Sequence, residues 1–321
     1  MKKDLSKLKQ ILSKNENICI PEPLTFTSTG FHALDKILGG GIPNGRFTEL
    51  WGVPQSGKTT LALQIGVQVQ KNGGTVLFYD VEHGFNKDMA MGLGLDVEDQ
   101  NKFLYICPKE GSHSKDLDTI MEICREKLVD LVIIDSVANL LPEDVVEREM
   151  ADREQASLAK FLKRFILKIS DVIAEQDIPV IMINQITDDT QARYNTETTP
   201  GGHAPKFITY MRLRLAHTQY INSKYAPITS SDIAEQGYGD IVKAVAKKTR
   251  TTRPFQEAEM VIVFGKGFDH GYDEFQQMIV EGKVTKAGAW YMIGDKKFQG
   301  MENCMKYLNE VKNNGNTKQE V

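Results

Sequence analysis

Apolar residues in this chain fall into two alternating patterns. Short, largely apolar runs predict strands: Phe47-Thr48-Glu49-Leu50-Trp51, Thr75-Val76-Leu77-Phe78-Tyr79, Phe103-Leu104-Tyr105-Ile106, Leu131-Val132-Ile133-Ile134 and Pro179-Val180-Ile181-Met182-Ile183. Between them, Thr60 to Val67, Asp116 to Leu128 and Leu158 to Ala174 place apolar residues at helical spacing. Strand runs without a polar face, alternating with helices, predict a parallel sheet covered on both sides. Such sheets take ligands at the carboxyl ends of their strands. Glu82 and Asp135 fall at two of those ends.

The flanking stretches read differently. Residues 1–16 are lysine-rich, with Leu5, Leu8, Ile11 and Leu12 at helical spacing. So short a helix is unstable alone, so its stripe needs a partner, either the body of the chain or a neighbouring subunit. Ile18 to Phe26, with Pro21 and Pro23, predicts an extended linker, Phe31 to Leu38 a short helix, and Gly39 to Gly45 a turn. Glu143 to Ala156 is densely charged, and Thr187 to Pro200 has almost nothing apolar. A polar loop of that length inside a compact domain is generally functional or disordered. Met211 to Ala216 and Glu259 to Phe264 predict further strands, while Tyr220 to Tyr238 reads as irregular and its order is left open. Ile241 to Arg253 carries Lys243, Lys247, Lys248, Arg250 and Arg253 with no acid between them. From Asp273 a small helical module is expected, with Asn313 to Val321 disordered.

With 321 residues the chain can bury a sizeable core, as one large α/β domain with an appendage or as two domains. A net charge of -4 gives no global attraction to nucleic acid, so any such binding must come from local patches. Cys19, Cys107, Cys124 and Cys304 show no metal-ligand spacing, and buried reduced thiols are expected, as in the cytosol. No apolar run approaches the ~18 residues of a membrane span, and no signal-peptide core opens the chain. A cytoplasmic protein is expected.

The chemistry concentrates at Gly52-Val53-Pro54-Gln55-Ser56-Gly57-Lys58-Thr59, followed by Thr60, a match to G-x-x-x-x-G-K-[ST] between a strand and a helix. The loop N–H groups and the positive end of the helix dipole converge there on phosphate oxygens. Lys58 would reach the β- and γ-phosphates, and the Thr59 hydroxyl would hold Mg²⁺. Asp135 ends a buried strand, where a carboxylate can reach that ion through water. Glu82 is placed to orient and polarise a water attacking the γ-phosphate. A nucleoside triphosphate is the expected ligand.

Several separated stretches resemble the bacterial RecA recombinase family. They are Thr29-Gly30-Phe31-His32-Ala33-Leu34-Asp35, the phosphate loop, Asp80-Val81-Glu82-His83 and Val132-Ile133-Ile134-Asp135-Ser136-Val137. Ile183-Asn184-Gln185-Ile186, Glu197-Thr198-Thr199-Pro200-Gly201-Gly202 and Lys286-Ala287-Gly288-Ala289-Trp290-Tyr291 extend the likeness, which runs from about residue 25 to 295. The phosphate loop alone fits many activities, whereas the Asp-Val-Glu-His, Asn-Gln and Ala-Gly-Ala-Trp-Tyr elements together are specific.

The resemblance implies a RecA-type P-loop NTPase core with a central, mostly parallel sheet, a short N-terminal helix and a small C-terminal module. The divisions are 1–24 (helix and linker, a subunit contact), 25–268 (ATPase core), 269–312 (a small α/β module) and 313–321 (tail). It implies an ATP- and Mg²⁺-dependent protein that forms helical filaments on single-stranded DNA and exchanges strands with duplex. In that family the acid matching Glu82 activates water, and the residue matching Gln185 senses the γ-phosphate. Lys248 and Arg250 match two lysines that reach the γ-phosphate of a neighbouring subunit; an arginine fork serves spread phosphoryl charge well. The family's DNA-facing loops match residues 148–156 and 187–200. By position, Lys160 would contact phosphate, Gly201 and Gly202 would admit it to backbone N–H groups, and Arg193 and Tyr194 would add phosphate and stacking contacts.

The chain also departs from the family. Gln155 and Thr190 stand where apolar wedges separate base triplets, Thr187 replaces an arginine, Asp188-Asp189 add negative charge, and Met89 stands where a tyrosine stacks on adenine. The N-terminal helix is shorter and a long acidic tail is missing, a compact form that would suit a phage-encoded member. Two other readings use the same motifs: a ring-forming DNA motor such as a helicase, and a non-catalytic, ATP-gated recombination mediator.

Overall fold

A computed structural model describes residues 5–13, 23–109, 112–140, 154–188, 197–201 and 203–316. Helix α1 (Leu5–Leu12) comes first; strands β1 (Phe26–Thr27) and β2 (Ile42–Pro43) then pair antiparallel around helix α2 (His32–Leu38). Strand β3 (Phe47–Gly52) runs through the phosphate loop into α3 (Lys58–Lys71). Next come β4 (Val76–Asp80), α4 (Lys87–Gly92), β5 (Phe103–Ile106), α5 (His113–Arg125) and β6 (Leu131–Asp135). The long α6 (Glu154–Glu175) leads to β7 (Val180–Gln185). The two-residue strands β8 (Thr187–Asp188) and β9 (Glu197–Thr198) pair with each other, and α7 (His203–Ile208) follows.

Chain reversal then replaces crossover. β10 (Met211–Ile221) lies parallel to β3, but β11 (Pro227–Ile228), β12 (Gly239–Lys248), β13 (Glu257–Val263) and β14 (Gly267–Phe268) are added antiparallel. The sheet reads β14-β13-β12-β10-β3-β7-β6-β4-β5, with β11 on β10. From β10 to β5 every neighbour is parallel, which puts the carboxyl ends of β3, β4, β6 and β7 on one edge.

Those strands are buried on both faces. One face packs Leu50, Leu61, Ile65, Phe78, Ile133 and Ile183 with α2 and α3. The other packs Leu77, Ile134 and Met182 against α5 and α6. Helix α6 shows why its pattern is legible: Leu158, Leu162, Phe165, Ile166, Ile169 and Ile173 are buried, while Lys160, Lys163, Arg164 and Lys168 face water. Each fully buried Leu, Ile or Phe contributes about 1.5–3 kcal/mol relative to exposure.

One open question is answered and two expectations need correction. Residues 220–238 are ordered: β10 runs on to Ile221, β11 returns against it, and helix α8 (Ile233–Gln236) closes the stretch. Tyr225 and Tyr238 pack there with Tyr272, apolar surface that the polar spacing concealed. The part after Asp273 is not purely helical. It comprises α9 (His270–Val280), an antiparallel sheet of β15 (Thr285–Ala287), β16 (Trp290–Ile293) and β17 (Lys296–Gln299), and α10 (Met301–Asn316). Its core is Phe275, Val284, Tyr291 and Cys304. Helix α10 continues through Asn316, into the stretch expected to be disordered; residues 317–321 lie outside the described part. Cys124 and Cys304 are buried free thiols, whereas Cys107 is exposed, and Cys19 lies outside the described residues.

Candidate functional site

Local geometry around the phosphate loop follows from its glycines. Gly57 has φ 84°, a left-handed conformation that favours glycine, and a Cβ there would lie 2.9 Å from the Phe268 ring. A Cβ on Gly52 would strike the Leu215 carbonyl oxygen at 2.2 Å. Ser56 Oγ is buried in the loop without a hydrogen-bond partner. Buried hydroxyls are normally paired, so this one fits a ligand oxygen.

Lys58, Thr59, Thr60, Glu82, Asp135 and Gln185 meet in a cleft of about 260 Å³ with Pro54, Gln55 and Gly57. Lys58 folds back, its Nζ donating to the Gly52 and Val53 carbonyls at 3.1 and 2.8 Å. Burial lowers its pKa, and Asp135 and Glu82 oppose that. The Thr59 hydroxyl donates to Asp135 Oδ2 at 2.6 Å. Burial pushes the Asp135 carboxyl up to about 6; Glu82 and Asp80 add to the rise, while Thr59 and Lys58 resist it. Asp135 and Glu82, two carboxylates beside one lysine, leave local negative charge, which suits a divalent cation.

Glu82 lies where β4 and β6 run side by side, Asp80 opposite Asp135. Its backbone N–H donates to the Asp135 carbonyl at 3.1 Å. Its Oε1 accepts from Gln185 Nε2 at 2.8 Å and from the Ser136 hydroxyl. Asp80 shapes the turn beyond, accepting from Gly84 N, Phe85 N and the Tyr105 hydroxyl at 3.1, 2.9 and 2.9 Å. A carboxylate so held points an acceptor into the cleft, the arrangement a general base needs.

The remaining predicted residues are not brought to this cleft within one chain. Lys248 Nζ donates to the Lys206 and Phe207 carbonyls, both at 2.9 Å, at the end of α7. Arg250 lies over the Tyr210 ring, 5.5 Å from its centroid. Lys160 is exposed on α6, and Gly201 is buried with φ 92°. Arg193, Tyr194 and Gly202, with Thr190, lie outside the described residues.

Sequence reading missed a buried polar knot behind the loop. Glu49, fully buried on β3, accepts from Arg212 Nε and, at 2.8 Å, from Asn184 Nδ2. Arg212 also donates to Thr199 Oγ1 at 3.1 Å and stacks on Trp51, 5.0 Å from its centroid. Asn184 donates on to the Pro200 carbonyl at 3.2 Å and accepts from Gln185 N at 3.0 Å. The sequence signal was only an acid in a buried strand; its partners lie 135 and 163 residues away.

The chain as a whole has counterparts among known proteins. The model of the RecA N-terminal domain matches residues 6–269. The chain belongs to the RecA family. Protein RecA of Aquifex aeolicus is 38% identical over 288 residues, 88% of this chain and 78% of that protein. Protein RecA of Thermus aquaticus is 36% identical over 285 residues, covering 88% and 80%. A crystal structure of the RadB recombinase aligns with TM-score 0.54 at 23% identity, covering 76% of this chain and 98% of that one, a likeness of fold. As a RecA family member the protein is a recombinase of homologous pairing and repair. No described helix is long and apolar enough to cross a membrane.

Proposed function

We propose that this recombinase is an ATP hydrolase that assembles as a helical filament on single-stranded DNA, pairs it with duplex, and releases it after hydrolysis. The observation that carries the reading is the placement of Glu82, whose Oε1 is held by Gln185 and Ser136 in the cleft that contains Lys58, Thr59 and Asp135.

The phosphate loop, residues 52–59, and Thr60 bind the triphosphate. The orphaned Ser56 hydroxyl and the close-packed glycines support the fit. Thr59 and Asp135 would hold Mg²⁺, which would neutralise phosphate charge when bound. Lys58 exchanges its two loop carbonyls for phosphate oxygens. Glu82 takes the proton of the attacking water, and Gln185 turns its amide between Glu82 and the γ-phosphate oxygens. Through Asn184 and the Glu49–Arg212 pair that movement reaches Thr199 and Pro200, at the end of the polar segment that meets DNA. Lys160, Arg193, Tyr194, Gly201 and Gly202 belong to that DNA surface. Lys248 and Arg250 serve the cleft of a neighbouring subunit; neither lines the cleft of its own chain. The four chain divisions, with α1 as a subunit contact, suit such an assembly in the cytoplasm.

ATP turnover measured with and without single-stranded DNA tests the whole reading: stimulation is expected, and its absence counts against it. Mixing two inactive variants tests the shared site. Glu82→Gln lacks the base, and Lys248→Ala/Arg250→Ala lacks the neighbour's cations. Together they restore activity at roughly a quarter of the heterologous interfaces, the random fraction of correct neighbours. Mixtures as dead as their components would sink the shared site.

A further inference from the structure

The turn that carries Glu82 is gripped from outside the cleft by β5, the edge strand of the sheet. β5 lies beside β4, with Tyr105 opposite Phe78. From there the Tyr105 hydroxyl donates to Asp80 Oδ2 at 2.9 Å. The same carboxylate accepts from Gly84 N and Phe85 N, so it closes residues 80–85 into a loop around Glu82. Two residues beyond Tyr105, Cys107 Sγ lies 2.9 Å from Nδ1 of His83, the chain neighbour of Glu82. On the cleft side, the Val81 and Glu82 N–H groups donate to the Asp135 carbonyl at 2.6 and 3.1 Å. The turn is thus pinned between β6 and β5.

The hydrophobic core does not account for Tyr105. Phe103, on the same face of β5, is buried, whereas Tyr105 is 45% exposed. Its ring packs on Phe85 with centroids 5.1 Å apart, a contact that phenylalanine would make as well. What tyrosine adds is the hydroxyl. Asp80 is only 2% exposed, so a donor lost from its carboxylate is not cheaply replaced by water. Partial burial and the bond to Asp80 both raise the phenol pKa, which keeps the hydroxyl protonated and donating.

A general base is effective only when its oxygen is held in line with the water it activates, and a shift of about 1 Å can cost 10²-fold in rate. We propose that Tyr105 is a positioning residue for ATP hydrolysis: its hydroxyl, acting through Asp80, fixes the turn that aims Glu82 at the attacking water. Tyr105 does not line the phosphate cleft and acts only through the turn. The proposal rests on the reading of Glu82 as the base. It adds the contact on the sheet edge that keeps the base in place.

Two measurements on the full chain test it. Single-turnover hydrolysis on single-stranded DNA, with protein in excess of ATP, reads the chemical step. Equilibrium binding of a non-hydrolysable ATP analogue with Mg²⁺ reads the ground state. Tyr105→Phe keeps the ring and removes the donor. Its hydrolysis rate is expected to fall about 10–100-fold, while affinity for the analogue stays within about twofold of wild type. In the Glu82→Gln background the same substitution should change the residual rate by less than about twofold, because residues acting as a unit are not additive. A structural role alone would weaken analogue binding, or would lower the rate equally in both backgrounds. Either result, or a wild-type rate in Tyr105→Phe, overturns the assignment. Glu82→Gln separates the two levels. If it hydrolyses ATP at the wild-type rate, the base reading falls and this proposal with it. If it is inactive while Tyr105→Phe is normal, the base stands and Tyr105 alone is wrong.

Discussion

Two groups of charged residues lie within a few residues of each other on β3 and its neighbours, and they are built on opposite plans. Around Glu49 the charges are satisfied: Arg212 and Asn184 bind the carboxylate, and Thr199 takes another guanidinium hydrogen. Around Lys58 they are not: Asp135 and Glu82 crowd one another, Lys58 turns to backbone carbonyls, and Ser56 is left unpaired. A buried ion pair closed on itself is structural, whereas an excess of one sign marks where a ligand belongs. Burial alone would not separate the two, since Glu49 and Asp135 are both inside.

The sharpest way to test that contrast is to change one member of each group. Glu82→Gln should lower ATP turnover by about 10²–10⁴-fold, the usual loss of a general base, with little change in thermal stability. A variant that unfolds instead would place Glu82 among the structural charges.

Arg212→Met should do the reverse, costing about 3–5 kcal/mol in denaturant unfolding because Glu49 is left buried and unpaired. Pairing it with Glu49→Leu should recover most of that loss. Failure to recover would mean that the Asn184 and Thr199 bonds, rather than the ion pair, hold the knot.

Asp135 gives the pH test. Its folded carboxyl titrates near 6, above the ordinary value of 3.8, so the folded state binds the extra proton. The contribution to stability is present below about pH 4 and is lost as pH rises through about 6. Without metal, Asp135→Asn should therefore be more stable than wild type at pH 7, by up to about 3 kcal/mol for a two-unit shift, and equal to it near pH 4. Thermal unfolding in chelator between pH 4 and 7 measures it; a wild type that gains stability relative to the variant over that range refutes the crowded-charge picture.

The smallest effect belongs to the link between the knot and the polar segment. Thr199→Val removes one hydrogen bond from Arg212 and should cost about 1 kcal/mol in thermal unfolding. A loss as large as that of Arg212→Met would move the centre of the knot from Glu49 to Thr199.

Sequence alone determined the elements of this protein and the position of its phosphate-loop motif. Strand runs at 47–51, 75–79, 131–134 and 179–183 and the glycine-bounded loop are local signals, because apolar periodicity and loop glycines act within a few residues. Glu82 and Asp135 were legible for a like reason: they lie just beyond or at the ends of buried strands, and parallel strands bring those ends together, whereas Gln185 was named through the family resemblance. The tertiary structure decided what distance in the chain conceals. It brought Arg212 and Asn184 to Glu49, set His217 against Asp240, ordered residues 220–238 through Tyr225, Tyr238 and Tyr272, and kept Lys248 and Arg250 away from the cleft of their own chain. Partners in a buried network are chosen by register across strands and by the cost of leaving a charge unpaired, and neither leaves a mark in local spacing.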